Sequence, residues 1–174
     1  MCRHPTLAGL LVLMSLCGAC NDTPSTSNDS NGDTIEAPCD SVFEGYYVIG
    51  DQAELDALTE YCEVTGSLAI YRSSLTSVSL PEITVVGGSL SVGSNASLTS
   101  FDLPNLRSVG DSVMVESNGL LSSFELPALT EVGDGQYDNV SVKYNDSLSS
   151  FDLSALTRIA GSLFVRFDGL LTSF

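Results

Sequence analysis

A pattern of about 23 residues repeats from Gly66 to the last residue, and it limits this chain to very few folds. Its clearest copy is GSLSVGSNASLTSFDLPNLRSVG, residues 88–110. Set in register, the copies fill each column with one chemistry. Leu68, Leu90, Val113, Val140 and Leu163 form one column, and Ile70, Val92, Val115, Val142 and Val165 the next. Val78, Phe101, Phe124, Phe151 and Phe174 form another, spaced 23, 23, 27 and 23 residues apart. A fixed period in this range is the signature of a solenoid.

One coil offers about seven inward apolar side chains at roughly 1.5–3 kcal/mol each, against about 1–2 kcal/mol of backbone ordering per residue. A single coil therefore cannot fold alone. Stacked coils share a continuous core and pair their strands, so stability comes from nearest-neighbour interfaces.

Within each copy, Leu90-Ser91-Val92 alternates apolar and polar, the period of a half-buried strand. Phe101-Asp102-Leu103 alternates again and is followed by Pro104, which predicts a second short strand ending where a backbone donor is missing. Pro81 and Pro127 hold the same place, but Ser154 replaces them in the fourth copy. Residues 106–109 close the coil and Gly110 turns the chain into the next. Asn95, Asn118, Asn145 and Asp168 share a column at the turn after the first strand. Buried amides there bond backbone groups that the turn leaves unpaired, and stacked copies form a ladder.

The pattern GSL-x-V…N-x-x-L-x-S-F-x-L-P-x-L-x-x-VG resembles the receptor L domain, the leucine-rich-repeat-like β-helix of insulin and EGF receptor ectodomains. It is also similar to repeats in fungal wall proteins and bacterial surface lipoproteins, and it covers residues 39–174. The expected fold is mainly β, a right-handed β-solenoid of L-domain-like repeats with a short N-terminal capping helix. Fold alone does not fix activity.

Residues 1–19 carry Arg3, an apolar run from Leu7 to Leu16 and then small residues, the form of a secretion signal too short to span a bilayer. Leu16-Cys17-Gly18-Ala19-Cys20 resembles a bacterial lipobox, with Cys17 where that pattern usually has Leu. It makes Cys20 the acylated residue; ordinary signal-peptidase cleavage is the alternative. Residues 20–38 are Asn, Asp, Ser, Thr, Gly and Pro with almost nothing apolar, the composition of a flexible stalk. Cys2 and Cys17 leave with the signal, so Cys39 and Cys62 remain to form one disulfide. Closing that loop contributes about 3 kcal/mol on the chain-entropy argument.

Between those cysteines, residues 46–49 read as a strand and Asp51-Gln52-Ala53-Glu54 as a capping box opening a short helix, with Leu55 and Leu58 on one face. This unit covers the N-terminal end of the solenoid, as solubility requires. The fourth coil is four residues longer, through Gly133-Asp134-Gly135-Gln136-Tyr137-Asp138. Such insertions fall in loops, either as bland bulges or on a binding face. The sequence stops at Phe174, halfway through a coil, which reads as a C-terminal truncation, a fragment, or an end that a partner covers.

Without the signal, 5 basic residues face 22 acidic ones, a balance of −17. That argues against nucleic acid and anionic membrane surfaces as partners, leaving the lipid as the expected link to a membrane. The sole histidine, His4, leaves with the signal, and no nucleophile elbow, phosphate loop or zinc spacing is present, so no enzyme is expected. No cofactor is implied except calcium. Asp102, Glu125 and Asp152 form an outward column at strand spacing, and a divalent cation would relieve their repulsion; exposed carboxylates that simply hydrate are the alternative.

Lys143, Tyr144, Phe164, Arg166 and Phe167 gather near the C-terminal end of the first strand column, the mixture of aromatic and arginine side chains that protein or glycan recognition uses. The resulting expectation is a lipid-anchored binding or adhesion module at the outer membrane or cell surface, taking a protein or glycan on its sheet face. Its alternatives are a non-catalytic structural protein of the cell envelope and a eukaryotic glycosylated wall protein. The last draws on sequons at Asn95, Asn139 and Asn145.

Overall fold

A computed structural model of the chain describes residues 41–166 and 168–172. The proposed signal and stalk, with Cys20 and Cys39, lie outside the described residues, as do Phe167 and Phe174.

The chain opens with β1 (Val42–Phe43), β2 (Tyr47–Ile49), α1 (Gln52–Leu58) and β3 (Glu63–Val64). Each following coil then lays down three strands. These are β4 (Leu68–Tyr71), β5 (Ser77–Ser79) and β6 (Val85–Val86), then β7 (Leu90–Gly93), β8 (Ser100–Asp102) and β9 (Ser108–Val109). Next come β10 (Val113–Glu116), β11 (Ser123–Glu125) and β12 (Glu131–Val132), then β13 (Val140–Lys143), β14 (Ser150–Asp152) and β15 (Arg158–Ile159), and finally β16 (Leu163–Arg166).

Every strand pairs in parallel with its counterpart one coil away, giving three sheets: β2-β4-β7-β10-β13-β16, β5-β8-β11-β14 and β1-β3-β6-β9-β12-β15. This is a β-solenoid with coils of about 23 residues and one short helix. The third sheet is a correction to the reading of two strands per coil. The segment that closes each coil also pairs, though for only two residues at a time.

Register follows the sequence columns. Leu90 pairs with Val113 and Val113 with Val140, so the four-residue insertion between β12 and β13 bulges without slipping the ladder. A one-residue slip would turn the apolar set outward, and the apolar column forbids it. Because identical side chains repeat at the strand spacing, they stack. The rings of Phe101, Phe124 and Phe151 lie parallel within 3°, with centroids 5.0 and 4.9 Å apart. The leucine and valine columns around them are fully buried through the middle coils.

The amide column forms the expected ladder. Asn95, Asn118 and Asn145 are all 0% exposed. The Oδ1 of Asn118 accepts both the backbone N–H (3.1 Å) and the side-chain amide (3.0 Å) of Asn95, while Asn118 Nδ2 donates to the carbonyl of Val92 (3.0 Å). Asn145 repeats this towards Asn118, and Asp168 ends the series. Each rung thus satisfies backbone groups that a turn would strand in the core. Ser94, Ser117 and Tyr144, which precede Asn95, Asn118 and Asn145, and Arg72, which precedes the buried Ser73 one coil earlier, have φ between 51° and 59°, the left-handed kink that aims the next side chain inward.

At one corner the coils touch backbone to backbone. A β-carbon on Gly110 would lie 2.0 Å from the carbonyl oxygen of Gly87, so only glycine fits.

The cap matches its expectation closely. Asp51 Oδ1 accepts the N–H of Glu54 (3.0 Å), the Glu54 carboxylate takes the N–H of Gly50 (2.6 Å) rather than that of Asp51, and Leu55 and Leu58 are buried. Phe43 meets Tyr47 and Tyr61 edge to face, and Tyr47 donates to the Glu54 carbonyl. Burial, then the nearby Glu54 charge, pushes the Tyr47 phenol up.

Candidate functional site

The outward side of the first sheet is built from the polar half of each strand's alternation. One row runs Val48, Ala69, Ser91, Met114, Ser141, Phe164, and the other Tyr71, Gly93, Glu116, Lys143, Arg166. Register therefore sets Lys143 beside Arg166 and Ser141 beside Phe164, while the Tyr144 N–H reaches the Arg166 carbonyl. Of the five residues expected to form a patch, four are brought together; Phe167 lies outside the described residues.

Phe164 is 38% exposed, and the Arg166 guanidinium sits over its ring at 5.4 Å from the centroid. Lys143 Nζ binds Glu116 Oε1 at 2.9 Å, and Ser141 Oγ donates to the same oxygen. A groove of about 260 Å³ runs here between Met114, Ser141, Lys143 and Phe164. A second groove of about 260 Å³ adjoins it across Met114 and Glu116, lined by Tyr71, Ser91, Gly93, Ser94 and Ser117.

Sequence reasoning placed the patch only at the C-terminal end and missed this second groove. Tyr71 is 45% exposed, with the Arg72 guanidinium over its ring at 5.2 Å. A hydrogen bond with the Ser94 side chain, then the Arg72 charge, holds the Tyr71 phenol below its ordinary range. The available signal was Gly93, an isolated glycine within a strand pattern.

Glu116 is the one carboxylate in these two rows, and it is neutralised by Lys143. In a chain with 22 acidic residues, that leaves the first sheet as a face without net negative charge, bearing aromatic–arginine pairs at both ends.

The acidic column stacks as expected, Asp102 beside Glu125 beside Asp152, but does not converge. Ser79 Oγ donates to Asp102 and the Ser154 N–H to Asp152, whose carboxyl is held below its usual range by the Ser154 side chain and then by that N–H. Among the described residues no three acidic, cysteine or histidine side chains are grouped to hold a metal ion. Asp102, Glu125 and Asp152 therefore stand as neighbours in register without forming such a group.

The sequons are corrected too. The amides of Asn95 and Asn145 are buried rungs of the ladder, and glycosylating either would dismantle it. Asn139 is engaged through both side-chain ends, to Tyr137 and Ser162. In the insertion, Asp138 Oδ2 accepts the Gly135 N–H and Tyr137 stands 79% exposed at the tip.

The Cys62 sulfur lies 3.4 Å from the Ser41 carbonyl, but its proposed partner Cys39 is outside the described residues. A larger cavity of about 480 Å³ is lined by the core columns Phe151, Leu153, Leu156, Ile159 and Leu163. No described helix is long and apolar enough to cross a membrane.

Comparison with family models, with curated proteins and with solved structures finds no match to this chain.

Proposed function

We propose that this chain is an exported, lipid-anchored surface module that binds a protein or glycan through the outer face of its first sheet. The observation that carries the reading is the charge and shape of that face. Exposed Tyr71 and Phe164, each with an arginine over its ring, stand on a flat parallel sheet from which the surrounding acidity is nearly excluded. Aromatic and arginine side chains held rigid before binding lose little entropy on contact, which favours them as anchors.

The rest of the reading comes from the sequence. Cys20 takes the lipid, residues 20–38 hold the solenoid away from the membrane, and a Cys39–Cys62 bridge closes the cap. The repeats are those of a receptor L-domain-like surface lipoprotein.

The test is binding of the purified domain to cell-envelope material. Phe164→Ala with Arg166→Ala should weaken it at least tenfold while the melting temperature holds. Unchanged binding would remove this face from the proposal.

A further inference from the structure

Gly93 stands where the fold asks for no glycine. Its φ is not positive, and a β-carbon built there would have only ordinary contacts, 3.5 Å from the Glu116 carbonyl and from the edge of the Tyr71 ring. At Gly110 the same construction collides with backbone. Gly93 ends β7, and a glycine in a sheet often marks a bulge, a tight bend, or a place where a ligand or another backbone comes close.

The neighbours of Gly93 deepen the gap. Ser91 and Ser94 complete a rung of small side chains, so β7 forms the floor of a trough along its own direction. Tyr71 of β4 walls one side and Met114 and Glu116 of β10 the other. The walls rise from strands roughly 9.6 Å apart, two strand spacings. At about 260 Å³ the trough is smaller than the roughly 300–1,000 Å³ of drug-sized sites, and it suits a single ring.

We infer that this trough is a subsite for one neutral pyranose unit of a polysaccharide, its C–H face against Tyr71 and its hydroxyls on Ser91, Ser94, Ser117 and Glu116. The chemistry selects this class. A fixed aromatic ring beside hydroxyls and one carboxylate complements a molecule with an apolar face and a polar edge. The trough's lining carries a single charge, Glu116, which Lys143 neutralises, so nothing in the lining selects a charged sugar.

The inference rests on the sheet-face reading and narrows it, and one experiment separates the two. The full chain is run in affinity gels containing dextran, mannan or β-1,3-glucan, with polygalacturonate as the anionic counterpart. At least one neutral polymer should retard it, and polygalacturonate should not. Gly93→Val, which fills the floor with a good strand former, should lose at least tenfold in affinity with an unchanged or raised melting temperature; Tyr71→Ala, at an exposed position, should lose as much. Retardation by none of the neutral polymers, or equal retardation of Gly93→Val, overturns the subsite, as does loss in Gly93→Val without loss in Tyr71→Ala. If Gly93→Val binds cell envelope like the wild type while Phe164→Ala does not, the subsite fails and the surface-binding reading stands. If none of these variants changes either assay, both fail.

Discussion

Asn145 directs both its backbone N–H (2.9 Å) and its side-chain amide (3.1 Å) at a single oxygen of Asp168, while the other oxygen of Asp168 is buried without a partner. In the preceding rungs that second position is a nitrogen, which donates to Ile70, Val92 or Val115. The equivalent acceptor for residue 168 is the Val142 carbonyl. Asp168→Asn should therefore complete the ladder and stabilise the domain by about 1 kcal/mol, a few degrees in melting temperature. A lower melting temperature would show that the carboxylate is preferred there.

The ladder's interior should be far less tolerant. Asn118→Ala strands the N–H and amide of Asn95 and the carbonyl of Val92 in a region that water does not reach. At about 1–3 kcal/mol for each unsatisfied group, the loss should reach at least 3 kcal/mol in urea denaturation. A loss under about 1 kcal/mol would mean that water enters the turn.

Much of this architecture was legible because a solenoid writes its register into its period. Phe101, Phe124 and Phe151 stack in space as they align in sequence, and the buried amide column follows the same rule. The third sheet was not legible, because strands such as Ser108–Val109 are too short to show an alternation. Nor was the convergence of side chains across coils. Register placed Asp102, Glu125 and Asp152 side by side, but only coordinates show that they are not grouped as a cation site would need. The Tyr71 trough escaped because its floor is an absence, the missing side chain of Gly93. Asn95 and Asn145 read as sequons because the acceptor pattern carries no information on burial.

Calcium should accordingly leave stability unchanged. With ionic strength matched, millimolar calcium should shift the melting temperature no more than magnesium does, since no set of ligands is grouped for the ion among the described residues. A rise specific to calcium that Asp102→Asn abolishes would reinstate the acidic column as a site.

Acid should expose the role of Ser154. Its side chain and N–H favour the charged form of Asp152, so the folded pKa lies below the unfolded one. The sign follows: this contribution is complete above the ordinary aspartate value of about 3.9 and fades as pH falls through the lower folded value. The difference in melting temperature between wild type and Asp152→Asn should shrink from pH 5 towards pH 2. Ser154→Pro, which restores the residue found at Pro81, Pro104 and Pro127, removes hydroxyl and N–H together and should return the Asp152 carboxyl towards its ordinary range in an NMR titration. An unmoved titration would contradict that cause.

Two glycines 17 residues apart in sequence, Gly93 and Gly110, should respond in opposite ways. Gly93 has room for a β-carbon, and the exposed Tyr71 ring beside it can turn aside, so valine should be accepted without loss of stability because strands favour β-branched residues over glycine. Gly110 has none, since its β-carbon would meet the Gly87 carbonyl at 2.0 Å, and both atoms belong to backbones that the sheets hold on either side. Relief would require parting two coils along their whole contact. Gly110→Ala should therefore cost about 3 kcal/mol or more, read as a lower midpoint in urea and faster proteolysis. A melting temperature within a degree of wild type would mean that the coils at this corner can separate without disturbing the columns beside them.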